Sequence, residues 1–248
     1  MDKNIKYFTT LKKFVCKSYK NKFKAEIEFW QKEIHEYVDW YKGLKTLYAT
    51  SPPTECQRVI SYSVKVSAIL TWFELHQKEK YYKDLDLTRD CFKGMKILDI
   101  GSGPFPSALV FLDCEVYCLD PLIPEYLKAG FPIHLYENRA KFSYGHSEEM
   151  PFEDNFFDAV LSVNAIDHVN DFEKTALEVK RVLKPGGFIR MHVHYHKATK
   201  TEPIEIDDER FINAYKWVKG IKKLSVSKSK TGYTLENNGE YYALWSNF

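Results

Sequence analysis

Lys96-Ile97-Leu98-Asp99-Ile100-Gly101-Ser102-Gly103-Pro104 is a short apolar run that stops in a glycine-rich turn. The run is of the kind that makes a strand buried on both faces, as in a parallel sheet. Glycine at Gly101 and Gly103 lets the backbone approach a ligand closely, because no Cβ intervenes. Asp120 lies 21 positions after Asp99, at the end of the next apolar run, Val116–Leu119. In an α/β sheet that spacing puts a carboxylate at the carboxyl end of the neighbouring strand, where it can take both hydroxyls of a ribose. Two glycines and an aspartate can also make nothing more than a turn.

Outward from this stretch the pattern alternates apolar runs with helical periodicity, the mark of parallel strands joined by crossover helices. Phe142–Tyr144 and Phe157–Val163 read as the third and fourth strands. Asn170 is expected to cap a helix, with Glu173 in the reciprocal position and Phe172, Ala176, Val179 and Leu183 on its inner face. Lys184-Pro-Gly-Gly187 ends that helix, and Phe188–Tyr195 returns as a fifth strand. A helix over about 207–218 and strand-like segments near 221–227 and 240–245, separated by Gly232 and Asn237-Asn238-Gly239, suit a hairpin-like finish. Towards the start, Ile27, Trp30, Ile34, Tyr37 and Tyr41 recur at helical steps before Gly43. Ser51-Pro-Pro-Thr54 breaks the chain, and Thr54 is expected to cap a second helix running towards Gln77.

Composition narrows the classes. With 44% hydrophobic and 28% charged residues, the chain has the balance of a folded, water-soluble protein. A formal net charge of +2 offers no broad electrostatic case for nucleic acid. Five cysteines, odd in number and with no C-x-x-C pair, argue against a disulfide framework or a zinc ribbon and fit a reducing cytosol. No apolar run is long enough to span a bilayer, and Met1-Asp2-Lys3-Asn4 lacks the apolar core of a signal peptide. A cytoplasmic chain is expected, its oligomeric state open.

Three segments together resemble the class I S-adenosylmethionine (SAM)-dependent methyltransferases: Ile97–Gly103, the stretch from Gly145 to Val160, and Leu183-Lys-Pro-Gly-Gly-Phe188. The resemblance covers about residues 90 to 196. It implies an α/β fold with a doubly wound, mostly parallel seven-stranded sheet. Residues 1–90 would be an N-terminal helical extension or lid, and 91–248 the SAM-binding domain. It also implies SAM as cofactor and a small-molecule acceptor. Asp99 would belong to the cofactor turn; Gly101, Ser102 and Gly103 would cradle the methionine portion. Asp120 would hold the ribose, with Pro121 and Leu122 beside the adenine. His146, Ser147 and Glu148 would meet the adenine edge, and Asn164 and Ala165 would line the pocket near the sulfonium. Two departures stand out: Phe105-Pro106 replaces the third glycine of the usual motif, and His146 stands where an acidic residue is usual. Shorter matches, Glu26-x-x-Phe29-Trp30, Asp120-Pro-Leu122 with Tyr126, and Asn164-Ala-Ile-Asp-His168, resemble methyltransferases of bacterial surface-polysaccharide biosynthesis. They imply O-methylation of a sugar or nucleotide-sugar.

Two clusters can serve the acceptor. Asp167-His168 follows the fourth strand, where the resemblance places the acceptor. In His192-Val-His-Tyr-His196, alternate residues of a strand share a face, so His192, His194 and His196 would line up. Three imidazoles can bind a divalent metal, but acceptor binding or general-base work is the expected role, and no metal centre is assigned. Trp30, Tyr37 and Trp40 either cover the acceptor or form core. Alternatives to transfer onto a sugar are a SAM-binding scaffold without turnover and transfer to the nitrogen or carboxyl group of another metabolite. A nicotinamide oxidoreductase shares the Gly-x-Gly turn but has no place for Glu148–Phe152 or Lys184–Gly187.

Overall fold

The computed structural model describes residues 17–199, 201–225 and 239–245. Its strands are β1 (Lys96–Ile100), β2 (Glu115–Leu119), β3 (Ala140–Ser143), β4 (Phe157–Val163), β5 (Leu183–His194), β6 (Gly220–Ser225) and β7 (Gly239–Trp245). They lie in the order β3-β2-β1-β4-β5-β7-β6. The first five pair in parallel, while β7 runs antiparallel between β5 and β6. The order reverses between β1 and β4: the chain steps outward from β1 to β2 and β3, then returns to the other side of β1 as β4. In an open parallel sheet that reversal leaves a crevice beyond the strand ends.

Both faces of the sheet are covered, which explains the unbroken apolar runs. Ile97, Val116 and Leu161 join one cluster, and Leu98, Ile100 and Val160 the other. On the first face lie α1 (Lys17–Tyr41), α2 (Val64–Trp72) and α4 (Ile123–Ala129), with the short α3 (Lys80–Asp84) nearby. On the second lie α5 (Phe172–Val182) and α6 (Asp208–Ala214). Tyr37 and Trp40 of α1 share a core with Trp72, Phe73 and the sheet. The helical extension is therefore packed onto the sheet, and Tyr37 and Trp40, both at 0% exposure, are core. Gly43 ends α1 at φ +78°, its N–H bonding the Trp40 carbonyl while Leu44 N–H reaches Asp39.

Several local expectations shift. Thr54 caps only a single 3-10 turn, Glu55–Gln57; α2 starts later, with Ser63 accepting from Val66 N–H. Asp171, not Asn170, caps α5 by accepting from Lys174 N–H at 2.8 Å. Asn170 is engaged elsewhere, both its amides donating to Glu148. Lys184–Gly187 does not end α5, which stops at Val182, but loops out of β5: Leu183 pairs with Phe157 and Phe188 with Ala159. The expected separators Gly232 and Asn237-Asn238 lie outside the described residues. Among the described residues no helix is long and apolar enough to cross a membrane.

After β1 the chain makes no long helix. Pro104 and Pro106 steer the residues before them away from helical backbone, and only a four-residue 3-10 turn, Ser107–Val110, follows. Phe105, in the place of the third glycine, is 2% exposed. Its ring meets Trp30, Tyr37, Phe73 and Phe131 at centroid distances of 6.0, 5.9, 6.1 and 5.6 Å. The departure from the motif anchors the extension to the turn.

Candidate functional site

Beyond the carboxyl ends of β1, β2 and β4 opens a cavity of about 460 Å³, within the ~300–1,000 Å³ of small-molecule sites. Gly101 and Gly103 form its floor at φ +69° and +62°. A Cβ on Gly101 would lie 2.3 Å from that of Ala165, so the turn reaches the loop after β4 only because Gly101 has no side chain. Asp120, 5% exposed, bridges this turn and its own strand end: Oδ2 accepts from Gly103 N–H at 2.9 Å and Oδ1 from Leu122 N–H at 2.8 Å. Burial raises its carboxyl pKa to about 6, against the pull of those two amides. Each oxygen keeps a further lone pair for a hydroxyl.

Eleven of the twelve cofactor residues expected from sequence line this cavity: Gly101, Ser102, Gly103, Asp120, Pro121, Leu122, His146, Ser147, Glu148, Asn164 and Ala165. Asn164 sits at φ +53° with its N–H on the His192 carbonyl, and its buried Oδ1 has no hydrogen-bond partner among the described residues. Such an orphan acceptor, with a cradle that a Cβ would fill, fits a polar nucleoside ligand. Glu148 is held by Asn170 N–H at 2.7 Å; burial would raise its pKa, but the Asn170 donors outweigh this and leave it lowered. His146 stacks on Phe23 of α1, and burial lowers its pKa.

Asp99 is the exception. It is wholly buried and does not line the cavity, because its side chain turns beneath the turn towards Tyr81 and Lys80. Burial drives its pKa well above the usual carboxylate range, with Tyr81 and Lys80 opposing.

Asp167 and His168, expected to serve the acceptor, are joined after β4 by His196, Thr201 and Glu202. Asp167, in the 3-10 turn Ile166–His168, is 0% exposed. Its Oδ2 meets His196 Nε2 at 3.0 Å, while His196 Nδ1 faces the Lys197 carbonyl at 2.8 Å. Both ring nitrogens face acceptors; burial pulls the His196 pKa down, but Lys197 and Asp167 hold it above the ordinary value. His168 lines the cavity together with Thr201 and Glu202.

Residues 98–191 match the family described as methyltransferase domain. A sterol 24-C-methyltransferase of Gibberella zeae is 36% identical over 106 residues, 40% of this chain and 27% of that protein. The uncharacterized methyltransferase YcgJ of Bacillus subtilis is 30% identical over 131 residues, 49% of this chain and 52% of that protein. The matches thus span about half or less of the length of these curated relatives. The solved [4+2]-cyclase SpnF has the same fold at a TM-score of 0.54 and 14% identity, covering 88% of this chain and 96% of that one. The family match and the curated relatives share residues of methyltransferases, and the solved structure shares the fold.

Two expectations about catalytic residues change. His192 is 0% exposed and does not line the cavity; its carbonyl accepts from Asn164 N–H. β5 ends at His194, whose backbone pairs with Gly239 but whose side chain lies outside the described residues, and His196 turns back to Asp167. His196 therefore does not continue the face of β5 that carries His192. Residues that the sequence reading missed include Lys22 of α1 and Glu202. Lys22 is 8% exposed and lines the cavity; burial lowers its pKa against Glu148, Glu26 and Asp167. No periodicity marks Glu202, which sits in an irregular loop.

Proposed function

We propose that this chain transfers a methyl group from SAM to a small polar acceptor. The observation that carries this reading is the convergence, at the point where strand order reverses, of the Gly101–Gly103 turn, Asp120 and Asn164 on one cavity that continues to His168 and Glu202. When bound, SAM supplies an activated methyl carbon. The residues here orient: Asp120 takes the ribose hydroxyls, Gly101–Gly103 lets the backbone approach, and Trp30 with Phe29 helps exclude water. Alignment of this kind can supply about 7–11 kcal/mol of the barrier. With a hydroxyl acceptor, its oxygen bonds the methyl carbon as the carbon–sulfur bond breaks, and the hydroxyl proton leaves to water or a base.

We further propose a hydroxyl of a sugar or nucleotide-sugar as acceptor, in the cytoplasm. The support is that Glu26, Phe29, Trp30, Tyr126 and His168, drawn from the short polysaccharide-type matches, all line the same cavity. The relatives above lend that acceptor no support. Calorimetry with demethylated SAM, S-adenosylhomocysteine (SAH), is expected to show binding that Asp120→Ala abolishes; a folded protein that binds neither SAM nor SAH would refute the reading. The fold shared with a cyclase favours a second reading, binding without methyl transfer. Acceptor-dependent release of SAH would exclude it.

A further inference from the structure

Asp167 presents two different oxygens. Its Oδ2 is taken by His196, whereas Oδ1 is buried and has no hydrogen-bond partner among the described residues. An unsatisfied carboxylate oxygen at 0% exposure is costly unless a cation or donor meets it. His168 Nε2 stands 4.0 Å from that oxygen and 3.7 Å from Glu202 Oε1, and the three ligand atoms all lie within 4.8 Å of one another. Bonds of about 2.0–2.2 Å to a tetrahedral ion put donors roughly 3.4 Å apart, so a small closure completes the set.

The surroundings hold these donors in place. Thr199 Oγ1 donates to Glu202 Oε2 at 3.1 Å and accepts from Glu202 N–H at 3.0 Å, leaving Oε1 towards His168. Ile204 N–H bonds the Asp167 carbonyl at 3.3 Å, tying the loop to the turn after β4. Oriented ligands with hydrogen-bonded partners behind them are characteristic of metal sites. Both His168 and Glu202 border the cavity, so an ion here would keep a position open to it.

We infer that Asp167, His168 and Glu202 form a divalent-cation site at the acceptor end of the cavity, which holds oxygen atoms of the acceptor. One imidazole with two carboxylates suits Mn²⁺ or Zn²⁺. A bound ion would also ease loss of the acceptor's hydroxyl proton by stabilising the alkoxide. That role, not the ion site, rests on the methyl-transfer reading.

Mn²⁺ is the probe, because Zn²⁺ also seeks thiols and Cys56 is exposed. Chelator-treated protein titrated with Mn²⁺, free ion being read by electron paramagnetic resonance, is expected to bind one ion per chain at this site. Glu202→Gln and His168→Ala are each expected to weaken it at least tenfold, while calorimetry with SAH shows the variants folded and still binding. No Mn²⁺ uptake at millimolar concentration by protein that binds SAH overturns the site and spares the methyl-transfer reading. Uptake that neither substitution changes also overturns it. Uptake sensitive to both, in protein that never binds SAH, upholds the site and removes the methyl-transfer reading.

Discussion

Asp120 shows how one carboxylate can link acidity to binding. Its folded pKa of about 6 lies above the ordinary 3.8, so the folded chain holds this proton more tightly than the unfolded one. The stability it contributes is complete below pH ~3.8 and is lost as pH rises through about 6; the loss is roughly 3 kcal/mol at neutrality. In the proposed complex the ligand would offset this, because only the ionised form has lone pairs enough for Gly103, Leu122 and two ribose hydroxyls. SAH affinity measured by calorimetry from pH 5 to 8 is expected to climb with pH through about 6 and then level. In Asp120→Asn the affinity is weaker and this step is absent. A wild-type profile that stays level across pH 6 would show that the carboxylate does not meet the ribose. Asp99 makes the complementary case: its position in the motif was legible, but its inward orientation was not, since spacing does not report which side of a turn a side chain takes.

Phe105 carries the comparable argument for an element. A glycine here would match the usual motif, yet the ring is enclosed by Trp30, Tyr37, Phe73 and Phe131. Phe105→Gly is expected to lower the unfolding free energy by about 3–5 kcal/mol, the cost of emptying an aromatic site, with Phe105→Leu costing much less. Urea unfolding measures both; a loss below about 1 kcal/mol for the glycine variant would mean that the ring does not join extension to turn. The strands were legible because each central one is buried on both faces and stops at Gly, Asp or Asn. That same double burial hid the fate of His192: in a strand covered on both sides, alternation identifies a face but not an opening. Glu202 had no readable signal, as its place depends on a loop pinned by Thr199 and Ile204. The start of α5 slipped by one residue because Asn170 and Asp171 are equally good caps in isolation, and only Glu148, brought by a distant loop, decides between them.

At the scale of the molecule, the helical extension and the sheet have one core between them, and the cavity lies where they meet. Ile34, Tyr37, Trp40 and Trp72 are buried together with Ile97, Val116 and Leu161. Lys22, Phe23 and Trp30 of α1 also line the cavity opposite the Gly101–Gly103 turn. Neither part can open without exposing apolar surface of the other, so unfolding is expected to be a single transition. Three of the five tryptophans, Trp30, Trp40 and Trp72, lie in the extension, so tryptophan fluorescence reports mainly on it. Far-ultraviolet circular dichroism reports on the whole backbone. In urea the two signals are expected to share one midpoint. SAH at a hundred times its dissociation constant should move both together, by about 2.7 kcal/mol of added stability. An extension acting as a hinged lid would behave differently: fluorescence would change first, at a midpoint that SAH raises by itself, while the dichroism transition stayed where it was.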